Sequence, residues 1–73
     1  SLENPTSLDL SEVTLAALIN SLKMHGHDLD QIFKEFEANI LDNKLSGSNP
    51  HFKLASIEHL KNYIDDAKSN SLL

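Results

Sequence analysis

The chain has 73 residues, 11 acidic and 6 basic side chains, and a formal net charge of −5, which predicts one small domain. The absence of cysteine excludes disulfides and thiolate metal sites. All the basic residues are lysines, and an acidic chain without arginine is a poor candidate for direct nucleic-acid binding. A domain of this size buries only about 60 % of its unfolded surface, so its stability margin is small.

The first predicted helix has a strong start signal. Residues 1–7 are polar and contain a proline, which predicts a flexible lead-in. Asp9 and Glu12 have the spacing of a capping box, with Asp9 as the N-cap. We therefore predict helix 1 over residues 10–25.

Helix 1 is apolar on two opposite sides. One stripe is expected to pack on the rest of the domain, and it consists of Leu15, Leu18, Ile19 and Leu22. Val13, Ala17 and Met24 fall on nearly the opposite side, Ala16 lies between, and residues 13–22 include no charge. A helix that is apolar all round is normally covered on several sides. The second side therefore predicts a partner-binding face, although scattered exposed apolar residues are also common on ordinary surfaces.

The "MHGHD" segment raises the question of a metal or acid–base site. His25 and His27 are two residues apart around Gly26, whereas helical zinc ligands are spaced by three or four. Gly26 has the position of a left-handed helix end, and Asp28 that of the next N-cap. We interpret the segment as a corner between two helices, and we predict no metal and no cofactor.

Helix 2 is predicted over residues 29–43 with a narrow apolar stripe. The stripe consists of Leu29, Ile32, Phe33, Phe36 and Ile40. On the opposite face, Asp30 and Lys34 are four residues apart, a spacing that favours a helix-supporting ion pair.

Helix 3 is predicted over residues 50–68, with Asn49 as its cap and Pro50 as its first residue. The alternative is an extended segment followed by a helix that starts at Ser56. Residues 70–73 are expected to be a frayed tail. The apolar stripe of this helix consists of Leu54, Ile57, Leu60, Ile64 and Ala67.

Three helices with short connections predict an all-α fold, a small antiparallel three-helix bundle within residues 8–69. Oligomerisation is one way for so small a domain to complete its core.

The charge-free helix 1 carries the functional interpretation. We expect a non-catalytic protein–protein interaction module that binds itself, as a homodimer or higher oligomer, or a helix of another protein. The predicted partner-binding residues are Val13, Ala16, Ala17, Met24, Phe52 and Leu54. Adjacent Asp65 and Asp66 point to different sides of their helix, so they do not form a facing carboxylate pair for acid–base chemistry.

Two other functions are weighed against this one. A docking or carrier element of a multidomain enzyme would need an attachment serine, and "SGS" and "LASI" offer serines in plain surroundings. A nucleic-acid-associated domain is disfavoured by the net negative charge and the absence of arginine.

No apolar run approaches the 18 residues of a membrane span, and there is no signal-peptide pattern. With the lack of cysteine, these features lead us to expect an intracellular protein, and the start at Ser1 suggests a piece of a larger chain.

Overall fold

The computed structural model describes residues 4–45 and 50–69. Helix α1 comprises Ser7–Met24, α2 comprises Leu29–Leu41, and α3 comprises Lys53–Ser69 after a 3₁₀ turn at Pro50–Phe52. Each helix contacts the other two, and the chain forms a small all-α three-helix bundle. This confirms the predicted fold class. The predicted cap at Asn49 and the predicted tail lie outside the described residues.

Helix α1 begins three residues earlier than predicted. Thr6 is its N-cap: the Thr6 hydroxyl accepts a hydrogen bond from the Asp9 N–H, and the Asp9 carboxylate accepts one from the Thr6 N–H, both at 3.1 Å. The prediction of Asp9 as the N-cap is therefore wrong, and Ser7 belongs to the helix rather than to the lead-in. Thr6 and Asp9 have the same three-residue spacing as Asp9 and Glu12, and the earlier box adds most of a turn of helix.

The end of α1 confirms the predicted role of Gly26. The glycine has φ +83°, its N–H donates to the Lys23 carbonyl, and the His27 N–H donates to the Leu22 carbonyl, both at 3.0 Å. These two bonds form a Schellman motif, which needs one residue in the left-handed region. The "MHGHD" segment is thus a helix end joined directly to a helix start.

Helix α2 starts as predicted and ends two residues early. The Asp28 side chain caps it by accepting a hydrogen bond from the Gln31 N–H at 3.1 Å. After Leu41 the chain leaves the helix through Asn43, which has φ +59°. The backbone N–H groups of Asn43 and Lys44 donate to carbonyls of the last turn at 3.2 and 2.8 Å. Asparagine tolerates this conformation better than other non-glycine residues.

The two left-handed positions give a matched pair of substitutions. We expect Gly26→Ala to lower the free energy of unfolding by about 1 kcal/mol, because a Cβ is strained at positive φ; the space around the glycine is open, so no clash adds to this strain. We expect Asn43→Gly to change stability by less than about 0.5 kcal/mol, because glycine adopts the left-handed region without strain while the substitution removes only an exposed hydrogen bond that the Asn43 side chain accepts from Lys53. Urea unfolding followed by circular dichroism measures both changes. Equal destabilisation by the two substitutions would contradict the backbone argument.

The structure favours the earlier of the two predicted starts of helix 3. The chain is helical from Pro50, first as the 3₁₀ turn and then as α-helix from Lys53. The alternative of an extended segment up to Ser56 is therefore wrong. A single 3₁₀ turn is common at the beginning of an α-helix.

The core lies where the end of α1 meets the start of α2 and the end of α3. The buried residues of this cluster are Ile19, Leu29, Ile64 and Ala67, and Ile40 of α2 and Ile57 of α3 are also buried. The half-buried apolar side chains packed against the cluster are Leu15, Leu22, Ile32, Phe33, Leu60 and Tyr63. One prediction of a buried residue is wrong, because Leu18 of the packing stripe is 55 % exposed. Leu54, which belongs both to the apolar stripe of helix 3 and to the predicted partner-binding set, is 76 % exposed. The stripe predicted for helix 2 is confirmed, since each of its members is buried or half-buried.

Polar contacts at both ends show that α2 and α3 run antiparallel. Lys68 Nζ lies 2.7 Å from Asp30 Oδ1, and Lys53 Nζ donates a hydrogen bond to Asn43 Oδ1. Asp30 thus pairs with Lys68 of α3 rather than with Lys34, contrary to the prediction.

The hydrogen bond and the negative charge of Asp30 raise the pKa of Lys68 above its ordinary value. Any stability from this pair is present at neutral pH and is lost as the pH rises through the pKa of Lys68. Both side chains are about half exposed or more, so the pair contributes little.

The bundle is thin, and α1 extends beyond its core. The molecule measures 41 × 29 × 16 Å, with a radius of gyration of 13.6 Å against about 11 Å expected for a compact domain of this length. Every residue from 4 to 14 is exposed, and burial begins at Leu15. The first two turns of α1 therefore lie beyond the core that fixes the rest of the helix.

Candidate functional site

The candidate site is an apolar stripe on the outer side of α1, formed by Leu10, Val13, Ala17 and Met24. The three larger side chains are 53 %, 68 % and 64 % exposed in chain order, and Ala17 is also exposed. At 100° per residue the four positions span about 60° of the helix circumference. Along the helix axis the outer stripe extends about 21 Å.

The outer stripe faces away from the core. Leu15, Ile19 and Leu22 turn the other side of α1 toward α2 and α3, about 180° from the centre of the outer stripe. The helix therefore has two apolar sides, of which its own bundle covers one. This is the geometry that the sequence predicted, although Leu18 belongs to neither side.

The structure brings together three of the six predicted partner-binding residues. Val13, Ala17 and Met24 share the outer stripe, and Ala16 is half-buried on its flank. Phe52 and Leu54 are 63 % and 76 % exposed, but they lie at the start of α3. The 3₁₀ turn that carries Phe52 contacts α3 and not α1. Phe52 therefore lies away from the outer stripe, near the connection between α2 and α3, and Leu54 lies in the first turn of α3.

Sequence reasoning missed Leu10, which lies at the exposed end of the outer stripe. A signal was present, because Leu10, Ala17 and Met24 are spaced by sevens, the period at which residues return to one helix face. Next to the outer stripe is an open pocket of about 410 Å³. Its lining residues are Leu10, Ser11, Thr14, Leu15 and Leu18.

Charges lie at the two ends of α1 and not along the outer stripe. Asp9 and Glu12 are near the first turn, Lys23 is in the last turn, and residues 13–22 carry no charge. The Lys23 side chain is held on the core side, where Nζ donates a hydrogen bond to the Ala67 carbonyl oxygen at 2.5 Å. The helix therefore presents an acidic end, an uncharged middle and a basic end.

One polar atom beside the outer stripe is left unsatisfied. Asn20 is half-buried, and its Oδ1 is buried without a hydrogen-bond partner among the described residues. Such an atom costs about 1–3 kcal/mol of desolvation. It lies at the edge between the outer stripe and the core side of α1.

The histidines occupy ordinary structural positions. His25 Nδ1 lies 2.8 Å from the Ser21 carbonyl oxygen, one turn back along α1, and the His59 ring packs edge-on against Tyr63 with centroids 5.0 Å apart. Within residues 4–45 and 50–69, no three histidine, aspartate or glutamate side chains form a group that could hold a metal ion.

No helix in the described part of the chain is both long enough and apolar enough to cross a membrane. Three of the exposed large apolar residues in the described part of the chain, Leu10, Val13 and Met24, lie on the outer stripe of α1. Comparison with protein-family models, with curated proteins and with solved structures yields no match for this chain.

Proposed function

We propose that this domain is a non-catalytic protein–protein interaction module that associates through the outer stripe of α1. Its partner is a second copy of the chain or a helix of another protein. The observation that carries the proposal is that Leu10, Val13 and Met24 are each more than half exposed on the side of α1 opposite the core. Contiguous exposed apolar surface of this kind is typical of protein–protein interaction sites, whereas singly exposed apolar residues are ordinary.

The driving force would be the burial of apolar surface. Removing apolar surface from water contributes about 25 cal/mol per Å², and alanine at the middle of the stripe lets another helix approach closely. Methionine suits such a surface because its unbranched side chain adapts to different neighbours. The charges at the ends of α1 would select the partner and its orientation rather than supply most of the affinity.

Single charge substitutions test this proposal directly. We expect the unmodified protein to associate as its concentration rises, and we expect Ala17→Glu and Met24→Glu to weaken association at least about tenfold, or about 1.4 kcal/mol, by placing a charge in an apolar interface. Sedimentation velocity over a wide concentration range measures the assembly. Circular dichroism should show unchanged helicity in both variants, because both side chains are exposed.

Ala38→Glu is the matched control, since Ala38 is exposed on α2 and the same charge is added away from the stripe. Association of the control should equal that of the unmodified protein. If both α1 variants unfold, the residues belong to the core and the proposal fails. The proposal also fails if both variants keep the oligomeric state and all the helical partners of the unmodified protein.

A further inference from the structure

We propose that the occupant of the outer stripe is a second copy of the same chain, with the two α1 helices antiparallel about a two-fold axis beside Ala16 and Ala17. This inference rests on the proposed function, because it uses the outer stripe as the interface. It adds the identity of the partner, the direction of the paired helices and the point at which they cross.

The two ends of the outer stripe are symmetric about Ala17 in position and carry side chains of similar size, whereas Val13 has no counterpart on the other side of Ala17. Leu10 precedes Ala17 by seven residues and Met24 follows it by seven, so each larger side chain lies about 10 Å from the alanine along the axis. A two-fold interface uses the same patch on both copies and must fit itself. Antiparallel pairing brings Leu10 of each copy beside Met24 of the other, and the small alanines lie where the helices come closest.

The charges of α1 favour the same orientation. Asp9 lies in the first turn of α1 and Lys23 in its last turn, where the Lys23 side chain is held on the core side by its hydrogen bond to Ala67. A two-fold axis between antiparallel helices places the acidic end of each α1 beside the basic end of the other, so the charges of the two ends are complementary. Parallel pairing would instead bring the two acidic ends together and align the two helix macrodipoles, both of which are unfavourable.

The rest of the domain leaves room for this pairing. Helices α2 and α3 pack on the opposite side of α1 from the outer stripe, through Ile19 and its neighbours. In the paired arrangement they lie on the outside of the dimer, behind each α1. The Lys23 side chain contacts Ala67 of α3, so the basic end of α1 is held in position before any partner arrives.

Cysteine cross-linking tests the arrangement, and the chain contains no cysteine of its own. Ala17→Cys should form a disulfide-linked dimer on oxidation, because Cα atoms at a close helix crossing fall within the about 4.4–6.8 Å that a disulfide spans. A mixture of Leu10→Cys and Met24→Cys proteins should form the mixed dimer in preference to either homodimer. Glu37→Cys is the control, as Glu37 is exposed on α2. We expect cross-linking of Ala17→Cys to exceed the control at least about tenfold, given the effective concentration within an assembly.

The outcomes separate this inference from the function on which it rests. Preferential cross-linking of Leu10→Cys to itself would show parallel pairing and overturn the inference, while the outer stripe would remain the interface. A protein that stays monomeric at all concentrations, with Ala17→Cys at the control level, would also overturn it. In that case the proposed function depends on whether Ala17→Glu abolishes binding of another protein's helix.

Discussion

Replacing Ile64 by alanine is expected to lower the free energy of unfolding by about 2–5 kcal/mol. Ile64 is 3 % exposed and belongs to the buried cluster where the three helices meet. The substitution removes buried methyl and methylene groups and leaves a cavity. A domain of this length has a total stability of about 4–11 kcal/mol, so one such loss is a large share of it.

Urea unfolding followed by circular dichroism measures the effect, at a concentration low enough to keep the protein monomeric. Leu54→Ala is the control on the same helix, because its side chain is 76 % exposed and its truncation should change stability by less than about 0.5 kcal/mol. If both substitutions had the same effect, Ile64 would not be at the centre of the core.

Enlarging Ala67 to leucine is expected to destabilise the domain by about 1–3 kcal/mol through overpacking. Ala67 is 3 % exposed in the same cluster, and its carbonyl oxygen accepts the hydrogen bond from Lys23 Nζ. Three additional carbon atoms would push α1 and α3 apart and strain that bond. The small size of residue 67 is therefore a condition for the close packing of these two helices.

Ala55→Leu is the matched control, since Ala55 is exposed earlier on the same helix and receives the same side chain. Differential scanning calorimetry of the two variants at low concentration compares them directly. We expect a lower melting temperature for Ala67→Leu and an unchanged one for Ala55→Leu. A melting temperature of Ala67→Leu equal to that of the unmodified protein would mean that the core has space at residue 67.

The features of the fold that could be predicted are those set by neighbouring residues. The left-handed glycine at Gly26 and the cap at Asp28 depend on local backbone chemistry, and both were predictable. The start of α1 was not, because two overlapping pairs, Thr6 with Asp9 and Asp9 with Glu12, have the same capping spacing. Which pair forms the box depends on how far the helix continues toward the N-terminus.

Burial was harder to predict than helicity because it depends on where helices cross. Leu18 and Leu54 have the right spacing to join apolar stripes, yet both are exposed. The bundle contacts α1 mainly along its second half, and α3 mainly after its first turn. Periodicity identifies the side of a helix that can be buried, but tertiary contacts decide how much of its length is buried.

The candidate site was predictable in its middle and not at its ends. Val13, Ala17 and Met24 followed from the absence of charge and the angular position around the helix. Leu10 was missed because a predicted helix that begins at residue 10 places it in the first turn, where a side chain belongs to the cap region. The distance of Phe52 from α1 follows from the connection between α2 and α3, which helical periodicity does not describe.

The exposed first half of α1 has a consequence for how the protein opens. Helical segments shorter than about 12–15 residues are marginal in water without tertiary contacts. Residues 7–14 are all exposed, so their helical structure is stabilised by one capping box and by the helix that follows. Their amide hydrogens should exchange with solvent by local opening, at a free energy far below that of global unfolding. A partner that covers this half of α1 would suppress its local opening. Part of the binding free energy would therefore be used to order the helix that makes the contact.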